Sequence, residues 1–153
     1  MLTGGLVDGE ERLNTLSHGF GAVLAVLGMI VLIFSNSMQT VYAVPSLLIY
    51  SLSLISMLTV STLYHASTNV VLKRKLRILD HINIYYLIAG TYTPVAMITL
   101  IDGNGWLILG TVWGIALLGT VLKLFFTGKY ELFSLLLYLI MGWLIVLDFQ
   151  NLL

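Results

Sequence analysis

The chain has no cysteine and very little charge. The missing cysteine excludes disulfides and thiol chemistry, though it fixes no compartment. Charged residues make up 9% of the 153 positions, against roughly a quarter in a soluble domain. Between Arg12 and Lys73 run sixty consecutive residues without Asp, Glu, Lys or Arg. A water-soluble domain of this size cannot accommodate such a stretch. Seven Lys and Arg balance seven Asp and Glu, so no net positive charge is available to attract nucleic acid, and no nucleic-acid partner is expected. The order of a secretory leader, basic then apolar, is also missing. Asp8, Glu10, Glu11 and Arg12 precede the first apolar run, so the first span is expected to stay in the protein. What is present is hydrophobic: 59% of residues are apolar, and the mean hydropathy is +1.01.

A bilayer core about 30 Å thick takes roughly 20 apolar residues per helix. Five runs are read this way, at about 17–34, 41–64, 79–101, 106–126 and 132–147. They are read as helices because backbone groups in hydrocarbon must be satisfied within the segment. The expected fold is therefore all-α, a polytopic membrane helix bundle forming one integral membrane domain over 1–153. The polar run 35–40 closes the first helix, and Asp102-Gly103-Asn104-Gly105 reads as a turn. Pro94 has no backbone N–H to offer the Gly90 carbonyl, so a kink is expected there. Gly19, Gly21 and Gly28 in the first helix either permit close helix contact or reflect the ordinary glycine usage of membrane helices. Trp106 and Trp143 lie near span ends, where they read as interfacial anchors, and Trp113 lies deeper and reads as packing.

Short loops make consecutive helices antiparallel neighbours, so the sides alternate. The N-terminus, the 65–78 loop and the 127–131 loop then share one face of the membrane. That face holds all seven Lys and Arg, taking Lys123 as snorkelling from the end of helix four. The other face holds none. The positive-inside rule puts the N-terminus in the cytoplasm.

On the same alternation His18, His65 and His81 all sit near the basic boundary. Ser61 and His65 are four residues apart and share a helical face. Asp80 and Asn83 share another, at the start of helix three. A neutral imidazole is the commonest metal ligand, and a neighbouring carboxylate orients a ligand or bound water. A catalytic zinc site uses three protein ligands and one open position. The same residues also read as interfacial polar groups, with Asp80 favoured by the helix dipole or paired with Arg74 or Arg77. Glu10 and Glu11 read as a solvated cap ahead of helix one.

Four stretches carry a resemblance: Glu10-Glu11-Arg12-Leu13-Asn14 leading to Ser17-His18-Gly19; Ser61-Thr62-Leu63-Tyr64-His65; Leu79-Asp80-His81-Ile82-Asn83-Ile84-Tyr85 running into Ala89-Gly90-Thr91-Tyr92-Thr93-Pro94; and Tyr138-Leu139-Ile140-Met141-Gly142-Trp143. In this order the chain resembles the hemolysin III family, the bacterial branch of the progestin and adipoQ receptor superfamily. The resemblance implies a seven-helix fold, of which five helices are present, in a bacterial cytoplasmic membrane. It implies a zinc ion near the cytoplasmic side, with His65 as one ligand, Ser61 beside the site and Asp80 holding a zinc-bound water. The wider superfamily includes alkaline ceramidases, which implies zinc-dependent hydrolysis of lipid amides or esters, or regulation of membrane lipid state, with membrane lipids as partners. The superfamily's other two zinc ligands, a His-x-x-x-His motif on a seventh helix, do not occur in this chain. It is therefore expected to be a fragment of a longer protein or a shortened form, with His18 and His81 as the available substitutes. Two rivals come from other classes: a pore-forming cytolytic protein, and a receptor-like signalling module without turnover.

Overall fold

In the computed structural model, which describes residues 4–37, 40–126 and 128–151, five α-helices follow one another and no strand occurs among the described residues. Met38 and Gln39 of the polar run, and Thr127 before the fifth helix, lie outside the described residues. The helices are α1 (Gly4–Phe34), α2 (Ala43–Ala66), α3 (Val70–Pro94), α4 (Gly105–Phe126) and α5 (Glu131–Trp143). A π-helical turn, Val95–Thr99, follows α3, and a 3₁₀ segment, Leu144–Asn151, follows α5. Three stretches are long and apolar enough to cross a membrane: Gly9–Phe34, Ala43–Ala66 and Gly105–Phe126. α3 has the length but carries the basic run on its first turns, and α5 is a 13-residue helix. With large apolar side chains exposed along α1, α4 and α5, the molecule is an all-α membrane helix bundle whose outer surface faces lipid.

Two helix starts differ from the apolar runs, and both differences matter for the site. α1 begins at Gly4 rather than near Ser17, which places Glu11 and Arg12 on a helix instead of ahead of one. α3 begins at Val70 rather than Leu79. The cause is Asn69, whose side chain accepts hydrogen bonds from the backbone N–H groups of Val71 and Leu72 at 3.0 and 3.1 Å. An N-cap of this kind satisfies helix donors that otherwise have no partner. The expected 65–78 loop shrinks to residues 67–69, and Lys73, Arg74, Lys75 and Arg77 ride on the first two turns of α3.

The expected break at Pro94 takes a specific form. The chain continues past it as a π-turn, closed by the Leu100 N–H on the Val95 carbonyl at 3.0 Å. A wider turn re-satisfies groups that proline frees.

Packing is uneven across the bundle. The core lies between α3, α4 and α5, where Tyr85, Ala89, Leu100, Ile108, Val112, Ala116 and Met141 are buried. Tyr85 lies against Gly119, where a Cβ would run into its ring. Tyr92 fixes the end of α5 by donating its hydroxyl to the Gly142 carbonyl (2.9 Å) and accepting the Ile145 N–H (3.1 Å). Trp113 packs against this core and donates its indole N–H to the Thr93 hydroxyl at 3.2 Å. α1, by contrast, lies along α2 and reaches α3 through the Glu11–Lys73 ion pair. Gly19 and Gly21 face Thr62 and Leu58 across that seam, while Gly28 meets nothing. Lys123 does not snorkel. It is 2% exposed and donates to the Glu131 carboxylate at 2.8 Å, because α5 begins with an acid directly opposite it.

Candidate functional site

The end of α2 and the start of α3 lie together at one end of the bundle, joined there by residues 67–69. All the basic residues gather on this side. Contacts between the two helices set their register. Ser56 donates to Asn83 Oδ1 at 3.3 Å, and Ser53 packs against Gly90. Stepping back along both helices from these pairs puts Asp80 level with Thr59 to Leu63, hence at about the depth of Ser61. His65 lies one helical turn further toward the basic end, about 6 Å along the axis.

Glu11 is the hub of this end. Its Oε2 accepts the His65 Nδ1–H at 2.8 Å, and its Oε1 accepts from Lys73 Nζ at 2.9 Å. One carboxylate therefore ties α1, α2 and α3. Its side chain is 30% exposed. Ion pairs so open to solvent stabilise by about 0–1 kcal/mol, so the contact matters more for orientation than for stability. It fixes the His65 ring through Nδ1 and leaves Nε2 as the nitrogen available for chemistry. A histidine held in this way, with one ring nitrogen on a carboxylate, has the outer arrangement usual for a metal-ligating or proton-transferring imidazole.

Aromatic contacts complete the orientation. The His65 ring lies 4.8 Å from Tyr64 and edge-on to His18 at 5.7 Å. Lys73 sits 5.4 Å over the Tyr64 ring. His18 Nδ1 is buried without a hydrogen bond, a state that costs about 1–3 kcal/mol and calls for a reason. Beside this group a cleft of 580 Å³ opens, lined by Glu11, Arg12, Thr15, Leu16, His65 and Thr68 among others.

The expected site residues divide. His65 stands at the cleft. Ser61 is buried, 2% exposed, one turn deeper. Asp80 is half-buried at the Ser61 depth. Among the described residues it makes no ion pair with Arg74 or Arg77 and no hydrogen bond to His65 or Ser61. Of the two substitute histidines, the structure brings His18 to His65 but turns His81 elsewhere. His81 Nδ1–H donates to the Arg77 carbonyl of its own helix at 2.7 Å, and its backbone carbonyl accepts the Tyr138 hydroxyl at 3.1 Å. Among the described residues, no three His, Asp or Glu side chains converge closely enough to hold a metal ion. The described residues thus bring together one carboxylate-oriented imidazole and not a closed metal site.

Hydrophobicity does not point to Glu11, because the first apolar run starts only at about Ser17. Glu11, Thr15 and His18 follow the 4- and 3-residue steps of one helical face, a signal visible once the helix is extended. Lys73 was hidden by treating its segment as loop. Glu11, expected as a solvated cap, instead bridges His65 and Lys73 while staying part-exposed.

The opposite end holds another carboxylate. Asp148, in the 3₁₀ segment, is buried at 4% exposure. It accepts the backbone N–H of Asn104 at 2.9 Å and its side-chain N–H at 3.1 Å. Asn104 immediately precedes α4, so Asp148 places negative charge at that helix start, where the dipole favours it. The stretch from Asp148, which reads as entry to a loop, acts at this position as a cap delivered from a distant segment.

A family model described as haemolysin-III related matches residues 9–153. The Hemolysin-3 protein of Bacillus cereus is 40% identical over 144 residues, covering 94% of this chain and 66% of that protein. The Hemolysin-3 homolog of Bacillus subtilis is 38% identical over 139 residues, covering 90% of this chain and 65% of that protein. The chain thus spans slightly less than two thirds of the length of these curated relatives. No solved structure matches it significantly.

Proposed function

The chain belongs to the haemolysin-III related family and is an integral membrane protein, and from that premise we propose that its basic end is the chemical site of a zinc-dependent membrane hydrolase acting on lipid amides or esters. The observation that carries the reading is the Glu11–His65 contact, 2.8 Å from carboxylate to Nδ1, at the mouth of a cleft open to an amphiphile. His65 is the residue of this chain to hold zinc, through Nε2. A zinc ion there would supply Lewis-acid activation. The described residues do not by themselves complete such a site. Glu11 holds the imidazole in one tautomer and one orientation. Lys73 holds Glu11 ionised and in place. Ser61 offers a hydrogen bond one turn deeper, and Asp80, at the same depth and without an ion-pair partner, is the carboxylate to orient a water.

The orientation that accompanies this reading has the N-terminus in the cytoplasm of a bacterial cell, because all seven Lys and Arg gather at one end. The absence of cysteine makes single introduced cysteines unambiguous reporters. Thr68→Cys is expected to react with an impermeant thiol reagent only after the cytoplasmic side is opened; reaction in intact cells would reverse the orientation.

The hydrolase reading is tested with a form spanning the relatives' full length, using labelled ceramides and simpler lipid amides. Amide release that disappears in His65→Ala supports it. Absence of release, together with liposome leakage that survives loss of His65 and Asp80, would favour the cytolytic activity that the relatives' names suggest.

A further inference from the structure

A second cleft at the basic end has a different chemistry. It measures 290 Å³, lies between the end of α2 and the first turns of α3, and is lined by Tyr64, Thr68, Val70, Lys73, Arg74 and Arg77. No carboxylate lines it. Lys73 gives one hydrogen bond to Glu11, and among the described residues neither Arg74 nor Arg77 enters an ion pair. We propose that this cleft binds the phosphate of an anionic lipid headgroup.

Arg74 and Arg77 are three residues apart on α3 and so project from one side of it. Guanidinium groups recognise phosphate oxygens in pairs, with a planar fork that an ammonium lacks. Tyr64 and Thr68 add two hydroxyls to the wall. The Asn69 cap makes this segment a helix, which holds the two arginines at fixed spacing rather than spreading them over a loop. Val70, Val71 and Leu72 are exposed immediately beside them. An edge that combines exposed aliphatic side chains with cations suits the membrane interface, where the acyl chains meet the headgroups. That edge favours a lipid over free phosphate, which has no apolar part to place there. Lys73 belongs to both this cleft and the Glu11 contact, so a bound headgroup would lie one side chain from the His65 pair. The proposal does not depend on the hydrolase reading, since it asks nothing of His65 or of a metal.

The test uses the whole chain in phosphatidylcholine nanodiscs containing a minor fraction of phosphatidylglycerol, with lipid retention read by native mass spectrometry. Two double variants each remove two positive charges from exposed positions: Arg74→Gln with Arg77→Gln inside the cleft, and Lys75→Gln with Lys129→Gln outside it. The cleft variant is expected to lose phosphatidylglycerol retention by about tenfold or more. The outside variant is expected to retain it within about twofold, because its charges reach the lipid only through screened solvent. Retention that persists in millimolar inorganic phosphate supports the lipid headgroup. Displacement by phosphate overturns the lipid assignment in favour of a free phosphate site. Equal loss in both double variants, or loss in neither, overturns the site altogether.

Discussion

At the basic end of the bundle Glu11 joins three helices while staying part-exposed beside an open cleft; at the other end Asp148 joins the 3₁₀ segment to the start of α4 while buried. Both are carboxylates that accept hydrogen bonds from elements distant in sequence. They differ in what they bind and in what can reach them. Glu11 holds the His65 imidazole and the Lys73 ammonium. Asp148 accepts from the backbone and side-chain N–H groups of Asn104. On the proposed reading, a carboxylate joining distant elements serves chemistry or structure according to its partners and its exposure. Its depth in a membrane protein does not decide the matter.

The contrast between the two ends can be broken or sharpened by substitution. The largest effect is expected from His65→Ala, which should abolish lipid-amide turnover in a form spanning the relatives' length while leaving thermal unfolding nearly unchanged. Next comes Glu131→Ala, which removes the carboxylate facing the buried Lys123 ammonium. Glu131 is itself 46% exposed, so the loss falls between the exposed and buried cases, about 1–2 kcal/mol, to be read as a fall in Tm in detergent, with turnover per folded molecule kept. Glu11→Gln should follow. It keeps the shape and loses the charge that orients His65, for a drop of about 10–100-fold in metal affinity or rate. Its Tm should shift little, because the pair is part-exposed. Asp148→Ala should give the smallest effect, about 1 kcal/mol of stability from a lost helix cap. Its turnover should stay within about twofold of the wild type, since nothing at the basic end touches it. If Asp148→Ala lost turnover and Glu11→Gln kept it, the roles assigned to the two ends would be reversed.

Much of this architecture was legible in the residues. A sixty-residue stretch without charge leaves a membrane as its only stable surroundings, and apolar runs of bilayer length locate the helices within it. That Ser61 and His65 share one face of α2 was legible, because residues four apart stack on one side of a helix. Glu11 and Lys73 were not, because hydrophobicity marks where a helix meets lipid and not where its backbone begins. α1 and α3 both start well outside their apolar runs, α3 on the Asn69 cap. The Lys123–Glu131 pair was missed for a related reason. A lysine at a span end snorkels by default, and only the packing of α5 against α4 shows that a carboxylate waits beside it. Asp148 on the α4 start is a contact across 44 residues, which no local pattern encodes.

The most direct test of the chemical assignment of the basic end is zinc content. It should be measured in purified protein spanning the relatives' full length, in the wild type, His65→Ala and Asp148→Ala. About one zinc per chain is expected in the wild type and in Asp148→Ala, with the metal lost from His65→Ala. Equal zinc in the wild type and His65→Ala would contradict the account.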